Sequence, residues 1–140
     1  MACTDPAILI VEADVATREL YRRELGRTYC VEACACAREA VSVLQTQQIQ
    51  AIVLEPATLG SEVWWFLSQL PPESGGTHAN RPPIILCSTV DERRRWSEMG
   101  AATYLIKPVV PARLLAALEK VVGGLPSDRV DTRSAPSQSS

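Results

Sequence analysis

A chain of 140 residues, 46% of them hydrophobic, is long enough for one packed core and too short for two domains of ordinary size. Its 14 Lys+Arg against 16 Asp+Glu leave a net charge of -2 and a pI near 5.4, so no global basic field draws it to nucleic acid or to an anionic membrane surface. No apolar run approaches the ~20 residues of a spanning helix, and the N-terminus lacks the charged start and apolar core of a signal sequence, which predicts a cytoplasmic protein.

Ile8 to Val11 is a continuous aliphatic run, the pattern of a strand buried on both faces. The period then changes: Asp14 or Thr17 can cap a helix through about Arg27, with Leu20, Tyr21 and Leu25 inward and Gly26 near its end. Tyr29 to Cys34 is a short strand, and Arg38 to Gln48 a helix with Ala40, Val41 and Leu44 inward. Ala51 to Leu54 is the third strand, halted by Pro56, which has no amide hydrogen for the ladder. After Gly60 a helix is predicted from about Glu62 to Leu70, carrying Trp64, Trp65, Phe66, Leu67 and Leu70. Adjacent tryptophans cannot both face a core squarely, which leaves one of the pair exposed.

Pro71 to Pro83 is rich in turn formers and reads as a long mobile loop; it holds the only histidine, His78, expected to be a loop residue without a partner. Ile84 to Cys87 is the fourth strand and Asp91 to Met99 a short helix ended by Gly100. With only Trp96 and Met99 apolar beside Arg93, Arg94 and Arg95, that helix is expected to be the least firmly docked element. Tyr104 to Ile106 is the fifth strand, and Pro111 opens a last helix with Leu114, Leu115, Leu118, Val121 and Val122 inward. The expected layout is a domain over 1–123 and a disordered polar tail over 124–140, too poor in apolar residues to order itself.

Five cysteines, at positions 3, 30, 34, 36 and 87, lack the paired spacing of a disulfide framework or a zinc finger and are expected to be reduced. Cys34 and Cys36 fall on one side of a strand, where small apolar filling is the main reading and a soft-metal site the lesser one.

Alternating apolar strands and amphipathic helices imply an α/β fold, a parallel sheet with helices on both faces. Ligands of such sheets gather beyond the carboxyl ends of the strands, where Glu12 and Asp14, Glu55, Ser88 and Lys107 all fall. Carboxylates from separate strands share one pocket only with charge compensation, for which Lys107 is the internal counter-ion.

Four segments agree in order and spacing with one family: Ala7-Ile8-Leu9-Ile10-Val11-Glu12-Ala13-Asp14, Ala51-Ile52-Val53-Leu54-Glu55, Pro83-Ile84-Ile85-Leu86-Cys87-Ser88-Thr89, and Tyr104-Leu105-Ile106-Lys107-Pro108. The chain resembles the receiver domain of two-component response regulators over about Ala7 to Gly123. The resemblance implies a doubly wound, five-stranded parallel sheet in flavodoxin-like order. Residue by residue it implies that Glu12 stands at the first acid of the acidic pair, Glu55 at the phosphoacceptor aspartate, and Ser88 with Thr89 at the phosphoryl-contacting hydroxyl and its small neighbour. Tyr104 matches the switch aromatic, Lys107 the family's lysine, and Pro108 the proline that often follows in cis. By match to the family pattern Trp64 is the inner tryptophan and Trp65 the contact residue.

Three departures bear on the chemistry. Ala13 stands where the family's second acid binds magnesium, and alanine supplies no oxygen. Glu55 sets its carboxylate ~1.5 Å further out than an aspartate would, and ~1 Å of misplacement can cost ~100-fold in rate. Pro56 removes a backbone N–H beside the acceptor.

The resulting expectation is a pseudo-receiver: a phosphorylation-independent protein-interaction module in phosphorelay signalling, not an enzyme, with no cofactor. Its partner is a histidine kinase or another signalling protein, or a second copy through the fourth helix, fifth strand and fifth helix, with Trp65, Arg93, Arg94, Arg95 and Trp96 as the partner face. The alternative is a phosphoacceptor that uses Glu55 with Glu12, Asp14 and weakly held Mg2+. A nucleotide- or flavin-binding enzyme is disfavoured, because Glu12-Ala13-Asp14-Val15 replaces the glycine-rich phosphate loop.

Overall fold

A computed structural model describes residues 6–71 and 81–122. The tail expected over 124–140, most of the loop expected between Pro71 and Pro83, His78 and Cys3 lie outside the described residues.

In chain order the elements are β1 (Ala7–Val11), α1 (Val15–Leu25), β2 (Cys30–Cys34), α2 (Ala37–Thr46), β3 (Ala51–Leu54), α3 (Pro56–Leu59), a 3-10 turn (Gly60–Glu62), α4 (Val63–Ser68), β4 (Ile84–Ser88), α5 (Arg93–Glu98), β5 (Thr103–Ile106) and α6 (Pro111–Val122). The strands form one sheet in the order β2-β1-β3-β4-β5, every neighbouring pair parallel. This is the doubly wound arrangement that the alternation of elements implies.

Side chains alternate across the pleat and build a core on each face of the sheet. Leu9, Ile52, Leu54 and Leu86 face a layer that includes Ala40, Val41, Phe66, Leu67 and Trp96. Ile8, Ile10, Val53 and Ile85 face Tyr21, Leu25, Leu114 and Leu118. β1 and β3 are buried on both faces, which is why their sequences run apolar without alternation.

Register sets the carboxyl edge. Val11 pairs with Leu54 and Leu54 with Leu86. The ladder runs one residue past the strands: Glu55 N donates to Val11 O at 3.0 Å and Lys107 N to Ser88 O at 2.7 Å. Residues 12, 55, 88 and 107 therefore stand side by side at one end of the sheet.

Several expectations need correction. The segment after β3 is helical from Pro56, where a proline at the first helical position loses no hydrogen bond. Trp64, expected to point inward, is 52% exposed and Trp65 44% exposed, because Val63, Phe66 and Leu67 take the inner stripe of α4. Trp96, expected on a partner face, is only 2% exposed, and with Met99 it docks α5 firmly against the sheet. Gly100 follows α5 with φ 76°, the left-handed conformation that ends helices and suits glycine. Among the cysteines Cys34, Cys36 and Cys87 are free thiols, whereas Cys30 is disulfide-bonded, against the expectation that all are reduced.

Because Trp96 is the largest fully buried side chain, Trp96→Ala is expected to cost about 3–5 kcal/mol in urea denaturation. Arg94→Ala, on the exposed side of the same helix, should stay within about 0.5 kcal/mol of wild type. Equal costs for the two would contradict this packing of α5.

Candidate functional site

Lys107, the residue after β5, places its Nζ 2.7 Å from Glu12 Oε1 and 2.8 Å from Glu55 Oε1. The carboxylates come from the residues after β1 and β3, and both are buried, at 4% and 8% exposure. Each uses its other oxygen on a backbone donor: Glu12 Oε2 accepts from Asp14 N at 3.1 Å and Glu55 Oε2 from Ala57 N at 3.2 Å. With Pro56 lacking an N–H, Ala57 supplies the first free amide of α3, and Glu55 is that helix's N-cap. A glutamate thus spans from the ammonium to the helix start, and every carboxylate oxygen of the pair has a partner.

Two acids and one lysine give this buried pocket a formal charge of -1. Burial alone would pull the Lys107 pKa down, but hydrogen bonds to Glu12 and Glu55, with their charges, hold it well above the usual lysine value. The ammonium is therefore charged throughout the neutral range. The Lys107–Pro108 peptide is cis.

Ser88 is 6% exposed, and its Oγ accepts from Val90 N at 3.1 Å. Thr89 is exposed on the turn that follows. Cys87, at the end of β4, is packed as an apolar group, its thiol pushed up to about 12 by burial.

Asp14 does not join the pocket. Its Oδ2 caps α1, accepting from Thr17 N at 2.9 Å and Thr17 Oγ1 at 2.6 Å. The Thr17 hydroxyl, then its amide, hold this exposed carboxyl below the ordinary aspartate value. Ala13 contributes only its backbone, whose N–H donates to Thr58 Oγ1 at 2.9 Å. Arg18 Nη1 donates to Glu12 O at 2.9 Å and to Ala13 O at 3.3 Å, which ties the β1–α1 turn down.

A magnesium ion needs several oxygens in near-octahedral geometry. The donors do not fit it: Glu12 and Glu55 are committed to Lys107, Ala13 has no side-chain oxygen and Asp14 is committed to its helix. Among the described residues no group of three or more His, Cys, Asp or Glu could hold a metal ion.

Tyr104, on β5, is half-buried. Its ring lies 5.4 Å from that of Trp96 at 56°, and the Arg93 guanidinium stands 5.0 Å from its centroid on the outer side. Arg93 and Arg95 also pair with Asp91 and Glu92 on the surface. The expected site residues thus fall into separate groups: Glu12, Glu55 and Lys107 in contact, Ser88 on the same edge, Asp14 and Thr89 exposed beside it. Tyr104 lies on β5 and Arg93 on α5, and Trp65 lies on α4. Sequence reasoning missed Thr58, Arg18 and the amide of Ala57, although Glu-Pro at the end of a strand is a legible start signal for a helix.

No family model matches the chain, and no curated protein matches it. Solved structures do. The chemotaxis response regulator CheY4 of Vibrio cholerae is 24% identical, with 84% of this chain and 99% of that one covered at a TM-score of 0.69. A response regulator from Thermotoga maritima is 16% identical, with 86% and 99% covered at 0.70. A CheY-like receiver domain from Methylobacillus flagellatus is 20% identical, with 84% and 99% covered at 0.66. The fold is that of CheY-like response regulator receiver domains.

Removing the ammonium leaves two buried carboxylates facing each other without a counter-charge. Lys107→Met is expected to cost about 3–5 kcal/mol in urea denaturation; a loss below about 0.5 kcal/mol, the usual range for a surface change, would mean that the pairs do not form in solution.

A second expectation concerns pH. Lys107 folds with a raised pKa, so its contribution is complete below the unfolded value of about 10.4 and is lost as pH rises through the folded value. Burial also pushes Cys34, Cys87 and Tyr21 up to about 12, with the same sign. The denaturation midpoint should therefore be flat from pH 7 to 8 and fall from about pH 8.5 upward, where unfolded thiols begin to ionise. A midpoint that rises across that range would contradict the assignment.

Proposed function

We propose that the chain is a receiver-fold interaction module of two-component signalling that works without phosphoryl transfer. The observation that carries this reading is the Lys107 ammonium shared between Glu12 and Glu55. In the phosphoacceptor reading, a carboxylate nucleophile needs a free oxygen, a metal to neutralise the incoming phosphoryl group and a lysine available to it. Here both Glu55 oxygens are engaged, Ala13 stands where the metal's second carboxylate would be, and the lysine is already paired with two carboxylates.

Glu55 supplies a fixed negative charge to Lys107 at the end of β3, with less charge than the ~-1.5 to -2 of a phosphoryl group. In this reading that charge holds the β4–α5 and β5 segments in one arrangement, and binding to a protein partner does not wait for a phosphodonor. The surface offered is the α5–β5–α6 face, with Arg93, Arg94 and Arg95 exposed and Tyr104 held between Trp96 and Arg93. A histidine kinase or other signalling protein, or a second copy of the chain, would dock there. Trp96 supports the face from beneath.

The experiment is incubation with acetyl phosphate and Mg2+, followed by intact mass measurement. The wild type is expected to acquire no phosphoryl adduct, whereas the double variant Ala13→Asp with Glu55→Asp, which restores the metal's carboxylate and shortens the acceptor, is expected to acquire one. Labelling of wild type at Glu55 would overturn the proposal in favour of a working phosphoacceptor.

A further inference from the structure

At the opposite end of the sheet from Lys107 lies a cleft of about 550 Å³, within the ~300–1,000 Å³ of ligand sites. It opens between the C-terminal ends of α2 and α4 and the residues leading into β3 and β4. Val41, Leu44, Ile49 and Leu70 contribute to its apolar lining, and glutamines 45, 47, 48, 50 and 69 contribute amides. Among the described residues the side chains of Gln45, Gln47, Gln48 and Gln50 make no hydrogen bond, and Gln69 bonds only its neighbour Ser68.

Among the described residues the surface around the cleft is depleted of charge. From Ala40 to Pro71 the only charged residues are Glu55, buried at the other end of the sheet, and Glu62. Among the described residues the one charged residue lining the cleft is Arg81, whose Nη1 donates to Pro71 O at 3.4 Å. Trp65, 44% exposed, lies four residues before Gln69, the C-cap of the same helix, so the two share a face and an exposed ring stands one turn from the cleft.

The chemistry selects the occupant. A basic partner would lose water here without meeting a counter-charge among the described residues, and an acidic one would meet only Arg81, already held by the Pro71 carbonyl. A second folded copy needs ~800 Å² of contact per partner, and two half-exposed tryptophans supply on the order of 200 Å². An extended peptide suits the surface better: its backbone carbonyls and N–H groups match free glutamine amides, which donate and accept. Proline rings pack on aromatic faces, and a polyproline-type segment arrives already ordered. We infer that this cleft docks an uncharged, proline-containing extended segment of a partner protein. The inference is independent of the reading of Glu55 and Lys107.

The test is selection of a random decapeptide library, displayed on phage, against the immobilised full chain. Selected peptides are expected to be uncharged and proline-bearing, and to quench or shift tryptophan fluorescence. Trp65→Ala is expected to weaken them at least tenfold, as is Gln48→Glu, which adds an exposed charge to the lining without touching the core. Both variants should keep the far-UV circular dichroism of wild type. Failure to select any peptide, selection of charged sequences, or affinity unchanged in both variants would overturn the inference. So would sedimentation showing a wild-type dimer that Trp65→Ala dissolves, which assigns the face to a second copy. Tighter peptide binding after removal of residues 124–140 would likewise overturn it, by assigning the cleft to the chain's own tail.

Discussion

Two carboxylates and one ammonium, brought together at the carboxyl edge of a parallel sheet, constrain everything else at that edge. Glu12 and Glu55 belong to neighbouring strands whose register is fixed by the β1–β3 ladder, so their backbones cannot move apart. Like charges so placed are unfavourable unless a cation stands between them. Lys107 arrives from the far side of β4 and meets both at hydrogen-bond distance. Breaking one side of such a buried arrangement leaves an uncompensated charge, so the three residues act as a unit.

The identity of residue 55 follows from what surrounds it. Pro56 starts α3 and supplies no amide, which moves the first available helix donor to Ala57. The side chain at 55 must reach that donor and Lys107 together, and glutamate does so with a separate oxygen for each. Ala13 fits the same picture, because it is held there through its backbone, to Thr58 and Arg18. Glutamate, proline and alanine are thus mutually consistent parts of one pocket, built around the Lys107 ammonium.

The fold was legible in the sequence because burial on both faces of β1 and β3 forces unbroken aliphatic runs that period alone can identify. The pocket was legible for a similar reason: polar residues that interrupt such runs at strand ends have few places to go. What stayed hidden depends on tertiary contacts. Whether Asp14 serves a metal or caps α1 is decided by Thr17, and no spacing rule separates the two. Trp96 reads as surface beside three arginines, yet one large ring suffices to seat a six-residue helix. Trp64 misled in the opposite sense, because Val63, Phe66 and Leu67 already fill the inner stripe of α4. The structural likenesses, all under 25% identity, carry the fold and leave the chemistry to the residues.

The most direct test of the central claim, that Lys107 holds Glu12 and Glu55 together, is nitrogen-15 NMR of the lysine ammonium during a magnesium titration. The account predicts a resolved, slowly exchanging Lys107 ammonium signal that stays in place through millimolar Mg2+ and disappears in Lys107→Met. A signal that shifts or broadens saturably with Mg2+, in a range where the other lysine does not respond, would mean that the carboxylates leave the ammonium for a metal ion and would contradict it.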